Sequence, residues 1–223
     1  MWCIPPKHNA AFVAQMEQVL DVYQRPYDPR YPVICMDESN KQLIGDVQPP
    51  LPVQPGQAQK EDCHYERHGT GNLFIAFEPA RGQRYVAVTE RRTQQDWAHF
   101  IQSIVDEVCP TAERITLVCD QLNTHHLASL YETFTPEEAH RLACKLELVH
   151  TPKHGSWLNM AEIELSALSR QCLNRRITDL VTLAREVIAW AQERNQHATT
   201  IQWRFTTADA RVKLASLYPK FLP

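Results

Sequence analysis

The chain has 223 residues, 43% of them apolar and 22% charged, with a net charge of −3. These totals describe a globular protein with one substantial core, and they count against a membrane span, a secretion signal or a dedicated DNA-anchoring domain, which would be more basic. The seven cysteines are scattered and never paired as Cys-x-x-Cys, which points to a reducing, cytoplasmic interior rather than a disulfide framework or a structural zinc site; Cys63-His64 with His68 lacks a second cysteine pair.

Residues 1–30 open with Pro5-Pro6, and Phe12, Met16, Val19 and Val22 then recur at helical spacing, predicting a helix from about Asn9 to Tyr23 before a turn-rich connector. Val33 to Met36 is a short apolar run of the kind a buried central strand shows. It is expected to end at Asp37-Glu38, placing a carboxylate at the strand's carboxyl end, where ligands and catalytic groups collect in such sheets. Residues 45–72 begin with the proline-dense Gly45-Asp-Val-Gln-Pro-Pro-Leu-Pro and read as an irregular insertion, either a functional arm or a mobile loop.

Asn72–Phe77 and Arg84–Thr89, with a turn at 78–83, predict an antiparallel hairpin. A helix from Gln94 to Val108 stops before Pro110. Arg114–Asp120 is a second apolar strand ending on an aspartate. Helices from His125 to about Phe134 and from Pro136 to about Lys145 follow, then a short strand, Leu146–Thr151. A loop, Thr151–Leu158, enters a helix that Asn159 is placed to cap, with Ala161, Leu165, Leu168 and Cys172 as its apolar stripe. Asp179 to Gln196 is a further helix, and the tail from Ala198 looks docked by Trp203, Phe205, Leu214 and Leu217. The organisation read from this is a connector and helix (1–30), a core (31–177) and a C-terminal helix with tail belonging to the same domain (178–223).

Glu162 and Glu164 both fall in the first turn of the helix after Asn159. Acids there favour the helix dipole, and Asn159-x-x-Glu162 is close to a capping box, so each has a purely structural reading. Two other acids alter that weighing. Asp37 and Asp120 end apolar strands, and the element order is that of an α/β ribonuclease-H-like fold: a central mixed five-stranded sheet flanked by helices, with a Pro-rich insertion after the first strand. Carboxylates on separate rigid elements suit magnesium, which takes hard oxygen ligands, and a pair of such ions can clamp both oxygens of an in-line phosphoryl transfer.

Longer words carry a resemblance. Cys35-Met-Asp37-Glu38, Gly69-Thr-Gly-Asn-Leu-Phe-Ile-Ala-Phe-Glu-Pro79, Val88-Thr-Glu-Arg-Arg-Thr93, Asp120-Gln-Leu-Asn-Thr-His125, Thr151-Pro-Lys-His-Gly-Ser-Trp-Leu-Asn-Met-Ala-Glu162 and Trp203-Arg-Phe-Thr-Thr-Ala-Asp-Ala-Arg211 together resemble DDE-type transposases of bacterial insertion sequences, in the branch allied to mariner elements. The resemblance implies a catalytic domain using Mg2+ or Mn2+, two ions, to cut DNA at an element's terminal inverted repeats. It then transfers the 3′-hydroxyl to target DNA, as a homodimer assembled on DNA at the bacterial nucleoid. It places the first two acids on Asp37 and Asp120 and the third on Glu162, after Asn159-Met160-Ala161; Glu164 is the alternative, and helical phase does not separate them. An inactive or repurposed copy that binds DNA or protein is the competing reading.

Two departures from the family pattern stand out. Gln121 replaces the usual Asn after the second acid, and an added helix at 131–144 lengthens the spacing to the third. Relatives carry helix-turn-helix segments before the catalytic domain, and this chain begins about where that domain would. Lys153 and His154 are candidate phosphate contacts near the cut bond, and Arg91, Arg92, Arg175 and Arg176 candidate backbone contacts, against the plainer reading of solvated turns and faces. Trp157 reads as a packing anchor before a stacking platform. Asn123 and His125 are candidates to orient a metal-bound water, and Asn123 or Thr124 to cap a helix.

Overall fold

A computed structural model describes residues 9–58, 60 and 62–219; Pro5-Pro6, Cys3, and Gln59 and Glu61 of the arm lie outside them. Five strands form one mixed sheet: β1 (Val33–Asp46), β2 (Tyr65–Glu78), β3 (Gln83–Thr89), β4 (Ile115–Cys119) and β5 (Leu146–His150). They lie in the order β3-β2-β1-β4-β5. β1–β2 and β2–β3 pair antiparallel, β1–β4 and β4–β5 parallel.

Both faces of the sheet are buried, which is why its strands read as continuous apolar runs rather than alternating ones. Alternate residues divide between two cores. Ile34, Met36, Phe74, Ala76 and Leu117 face Trp97, Phe100, Ile101 and Leu142. That side is covered by α2 (Gln94–Ser103, continued by a wider turn to Val108), α3 (Ala128–Tyr131) and α4 (Pro136–Cys144). Cys35, Ile75, Phe77 and Val118 face Phe12, Met16, Leu168, Leu183 and Val187. The covering elements there are α1 (Ala10–Tyr23), α5 (Ala161–Leu168), α6 (Leu180–Gln196) and α7 (Thr207–Lys213). The tail closes on α1 through Asn9 N to Leu217 O (3.0 Å) and Arg211 to Glu17 (2.9 Å).

The sheet has a step. β1 pairs with β4 only over Val33–Cys35, but it pairs with β2 from Cys35 out to Asp46. The first strand therefore does not stop at Asp37. It runs nine residues further as a two-stranded ribbon, and residues 65–72, expected to be irregular, are its return strand. Between Glu38 and Leu43 the ribbon's first strand buries no residue, and it rejoins the core only at Leu43, so its residues there carry no apolar period. The proline-dense tip is held by isolated bridges, Leu51 with Lys60 and Gln54 with Gln57.

The β2–β3 turn depends on Gly82, whose φ is +63° and where a Cβ would meet the Ala198 backbone at 2.5 Å. The helix expected from His125 begins only at Ala128, because residues 121–127 turn to carry His125 inward; neither Asn123 nor Thr124 caps it. No helix among the described residues is long and apolar enough to cross a membrane.

Candidate active site

The step in the sheet makes the site. β4 and β5 end at Cys119 and His150, so Asp37, itself buried, lies where β1 has lost its parallel neighbour. Asp120 follows β4 directly. Strand alternation points Asp37 and Glu38 to opposite faces. Asp37 turns to the α5 side, where Asn159 Nδ2 donates to it at 3.3 Å. Glu38 turns to the α2 side, where its Oε2 lies 2.6 Å from His125 Nε2 and its Oε1 3.5 Å from an Arg92 nitrogen.

The third acid is delivered by the loop at 151–158. Thr151 N bonds Cys119 O (2.9 Å), and Gly155 N closes a turn on Pro152 O (2.7 Å) so tight that a Cβ on Gly155 would stand 2.6 Å from the proline ring. His154 adopts the left-handed region there, at φ +66°. Tyr23 donates to Leu158 O (2.7 Å), and Trp157 packs edge-on against Phe205, the anchoring role its sequence context indicated.

Asn159 then does two things. Its Oδ1 accepts from Ala161 N (3.1 Å), one residue ahead of the helical N-cap position at Met160, and its Nδ2 donates to Met36 O (2.8 Å) as well as to Asp37. One buried amide thus starts α5 and ties it to the strand carrying the first acid. The reciprocal half of a capping box, Glu162 back to Asn159 N, is not formed; the nearby Ser156 hydroxyl acts to lower Glu162 instead.

The three acids lie near enough for their charges to act on one another. Burial and the charges of Glu162 and Asp120 push Asp37 up to about 7. Glu162 is raised by burial and by Asp120, against the bond from Ser156. Asp120, though burial works against it, is held below its ordinary value by His125, by Leu122 N and by Arg92. Burial favours neutral His125, but contact with Asp120 and Glu38 outweighs it and lifts the ring to about 9.

Glu164 belongs to another structure. It is 1% exposed, and both its oxygens are taken: Arg84 Nε and Nη2 donate at 2.7 and 2.9 Å, Arg194 at 3.1 and 3.2 Å. Arg84 is itself buried over the Phe77 ring. Two residues along one helix, Glu162 faces the cleft acids and Glu164 the inner core.

The remaining candidates separate by partner. Lys153 and His154, both exposed, line a cleft of about 360 Å³ with Asp120, Gln121 and Ser156. Arg92 stands beside Glu38, and its neighbour Arg91 is exposed. Arg175 pairs with Glu186, and Arg176 with Asp46 and the carbonyls of Asp62 and His64, strapping the ribbon to the α5–α6 connection. Gln121 bonds Gln15 and Thr151 O rather than the acids. His125 has both ring nitrogens on carboxylates and is too buried to orient a water. Glu38 and Arg84 were missed from sequence. Their signals were an acid one residue after Asp37 in an alternating strand and an arginine in an apolar one, which requires a buried partner.

Strand order, helices on both faces and acids at the step define a ribonuclease-H-like fold. Residues 32–184 match the family described as DDE superfamily endonuclease, and the chain belongs to that family. Comparison with curated proteins finds no match.

Among solved structures, the Mos1 mariner paired end complex with Mn superposes with a TM-score of 0.57 at 12% identity, covering 88% of this chain and 61% of that one. The Mos1 strand transfer complex gives 0.61 at 12%, covering 95% and 62%. A pre-cleavage Mos1 transpososome gives 0.52 at 13%, covering 100% and 69%. This chain spans about three fifths of the length of the first two, and the likeness is one of fold.

Proposed function

We propose that this chain is the catalytic unit of a DNA transposase. In this reading it cuts a DNA strand at an element end and joins the freed 3′-hydroxyl to target DNA, using Mg2+ or Mn2+, and works as a homodimer assembled on DNA. The reading is supported by the mutual charge influence of Asp37, Asp120 and Glu162, from β1, the end of β4 and α5, in a chain of this endonuclease family.

The donor set is all carboxylate, and burial first, then like charge, raises two of the three acids, an imbalance that divalent cations relieve. Those three side chains would hold two ions, whose contribution when bound is to polarise the phosphate and stabilise charge on the attacking and leaving oxygens. The protein does the rest. Asn159 fixes Asp37 against α5. Lys153 and His154, exposed on the cleft wall with Asp120, would receive backbone phosphates.

The test is Mn2+- or Mg2+-dependent nicking and strand transfer on duplexes carrying the element's ends. Asp37→Ala, Asp120→Ala and Glu162→Ala should each reduce activity by at least about a thousandfold. Activity that survives all three substitutions, or survives chelation, would overturn the reading. Light scattering should show the DNA-bound protein as a dimer, and a monomer with and without DNA removes that part.

A further inference from the structure

We infer that His125 is a positioning residue for the second acid, bridging Glu38 and Asp120 so that one chosen Asp120 oxygen is presented to the cleft. This rests on reading Asp37, Asp120 and Glu162 as a metal site. The Asp120 side chain is 45% exposed and follows the last residue of its strand, so it would swing freely unless something held it. Both hydrogen bonds it accepts among the described residues fall on Oδ1, from His125 Nδ1 at 2.7 Å and Leu122 N at 3.0 Å. Oδ2 accepts neither bond and is the oxygen left for an ion.

The bridge is itself fixed. His125 has a fully buried side chain, stacks on Trp97 with ring centroids 5.9 Å apart, and sets its other nitrogen 2.6 Å from Glu38 Oε2. Glu38 directly follows Asp37 in β1. The chain Asp37-Glu38–His125–Asp120 therefore couples the first acid's strand to the second acid's side chain, independently of the β1–β4 pairing that has already ended at Cys35. An imidazole and a carboxylate kept out of water at this one place are poor choices for filling space, since apolar groups of the same shape would pack there without desolvation. Partners of this kind behind a ligating carboxylate tune how well it holds an ion.

The two ring nitrogens can be tested apart. An asparagine amide stands near the place of Nδ1 and a glutamine amide near that of Nε2. His125→Asn thus keeps the bond to Asp120 and gives up Glu38, whereas His125→Gln does the reverse; both leave a similar gap beside Trp97. Measured by calorimetry, Mn2+ affinity should fall about 10- to 100-fold in His125→Gln, which loses the Asp120 bond, and by a smaller factor, about threefold to tenfold, in His125→Asn, which keeps that bond without its Glu38 anchor. Equal losses in both, or none in either, would mean that the ring is filler and would overturn the inference.

Nitrogen-detected spectra of the wild-type protein make the same test without a variant. They should show a protected His125 Nδ1–H that shifts when Mg2+ is added, and an Nδ1–H that is absent or indifferent to the ion counts against the bridge. A wild-type protein that binds Mn2+ no more tightly than Asp120→Ala removes the metal site itself, and that result is separable because it involves no change at His125.

Discussion

Glu162 and Glu164 show how little separates a reactive acid from a structural one. Both lie in the first turn of α5, and sequence periodicity treats them alike. Their partners distinguish them: Glu162 meets other acids, Glu164 meets two arginines. Removing one member of a buried ion pair typically costs about 3–5 kcal/mol. Glu164→Ala should therefore lower unfolding stability in urea by that order, while Glu162→Ala leaves it near wild type and removes metal-dependent activity. The pH signature follows from the direction of the shift. Burial alone would raise Glu164, but Arg84 and Arg194 hold it below its ordinary 4.5. The stability it contributes is complete above that ordinary value and is lost as pH falls through the depressed one, so the acid limb of the stability profile should flatten in Glu164→Gln.

At the level of elements, the apolar runs revealed the cores of β1, β2, β3 and β4, and the helices α1, α2, α4 and α6, because each buries a face. The ribbon beyond Asp37 was hidden for the complementary reason. Asp37-Glu-Ser-Asn-Lys-Gln and Tyr65-Glu-Arg-His-Gly-Thr form hydrogen-bonded strands whose side chains are mostly half-buried or exposed, so nothing in their composition distinguishes them from loop. Of the candidate site, the three acids were visible as strand ends and a helix start. The groups that orient them were not, since Asn159 with Asp37 and His125 with Glu38 are contacts across more than 80 residues of chain. Asn159→Ala tests this level. Losing a helix start and a buried bond together should cost about 1–3 kcal/mol. Mn2+ affinity measured by calorimetry should drop in the same variant while Glu164→Ala, at equal or greater cost in stability, leaves it intact.

At the scale of the whole molecule, the protein stores repulsion at the edge of a well-packed sheet. Asp37 is raised from 3.8 to about 7, chiefly by burial and then by Glu162. Between those values the folded protein keeps a proton that the unfolded chain has released. Stability of the metal-free protein should therefore fall as pH rises through that window, and Asp37→Asn should melt higher than wild type in chelator at pH 8. Divalent metal should restore the loss and release protons near pH 7, which calorimetry in buffers of different ionisation enthalpy will read as a buffer-dependent heat. The sheet's step also constrains the gene. Along β1 the two carboxylates are told apart only by parity: odd residues face α5, even ones face Trp97 and His125. Deletion of a single codon between Val33 and Met36 would keep the reading frame and most of the apolar run, yet it would turn Asp37 toward the histidine and Glu38 toward Asn159. Point substitutions in this strand are open to repair by packing, but a one-residue change of length exchanges the two acids' roles.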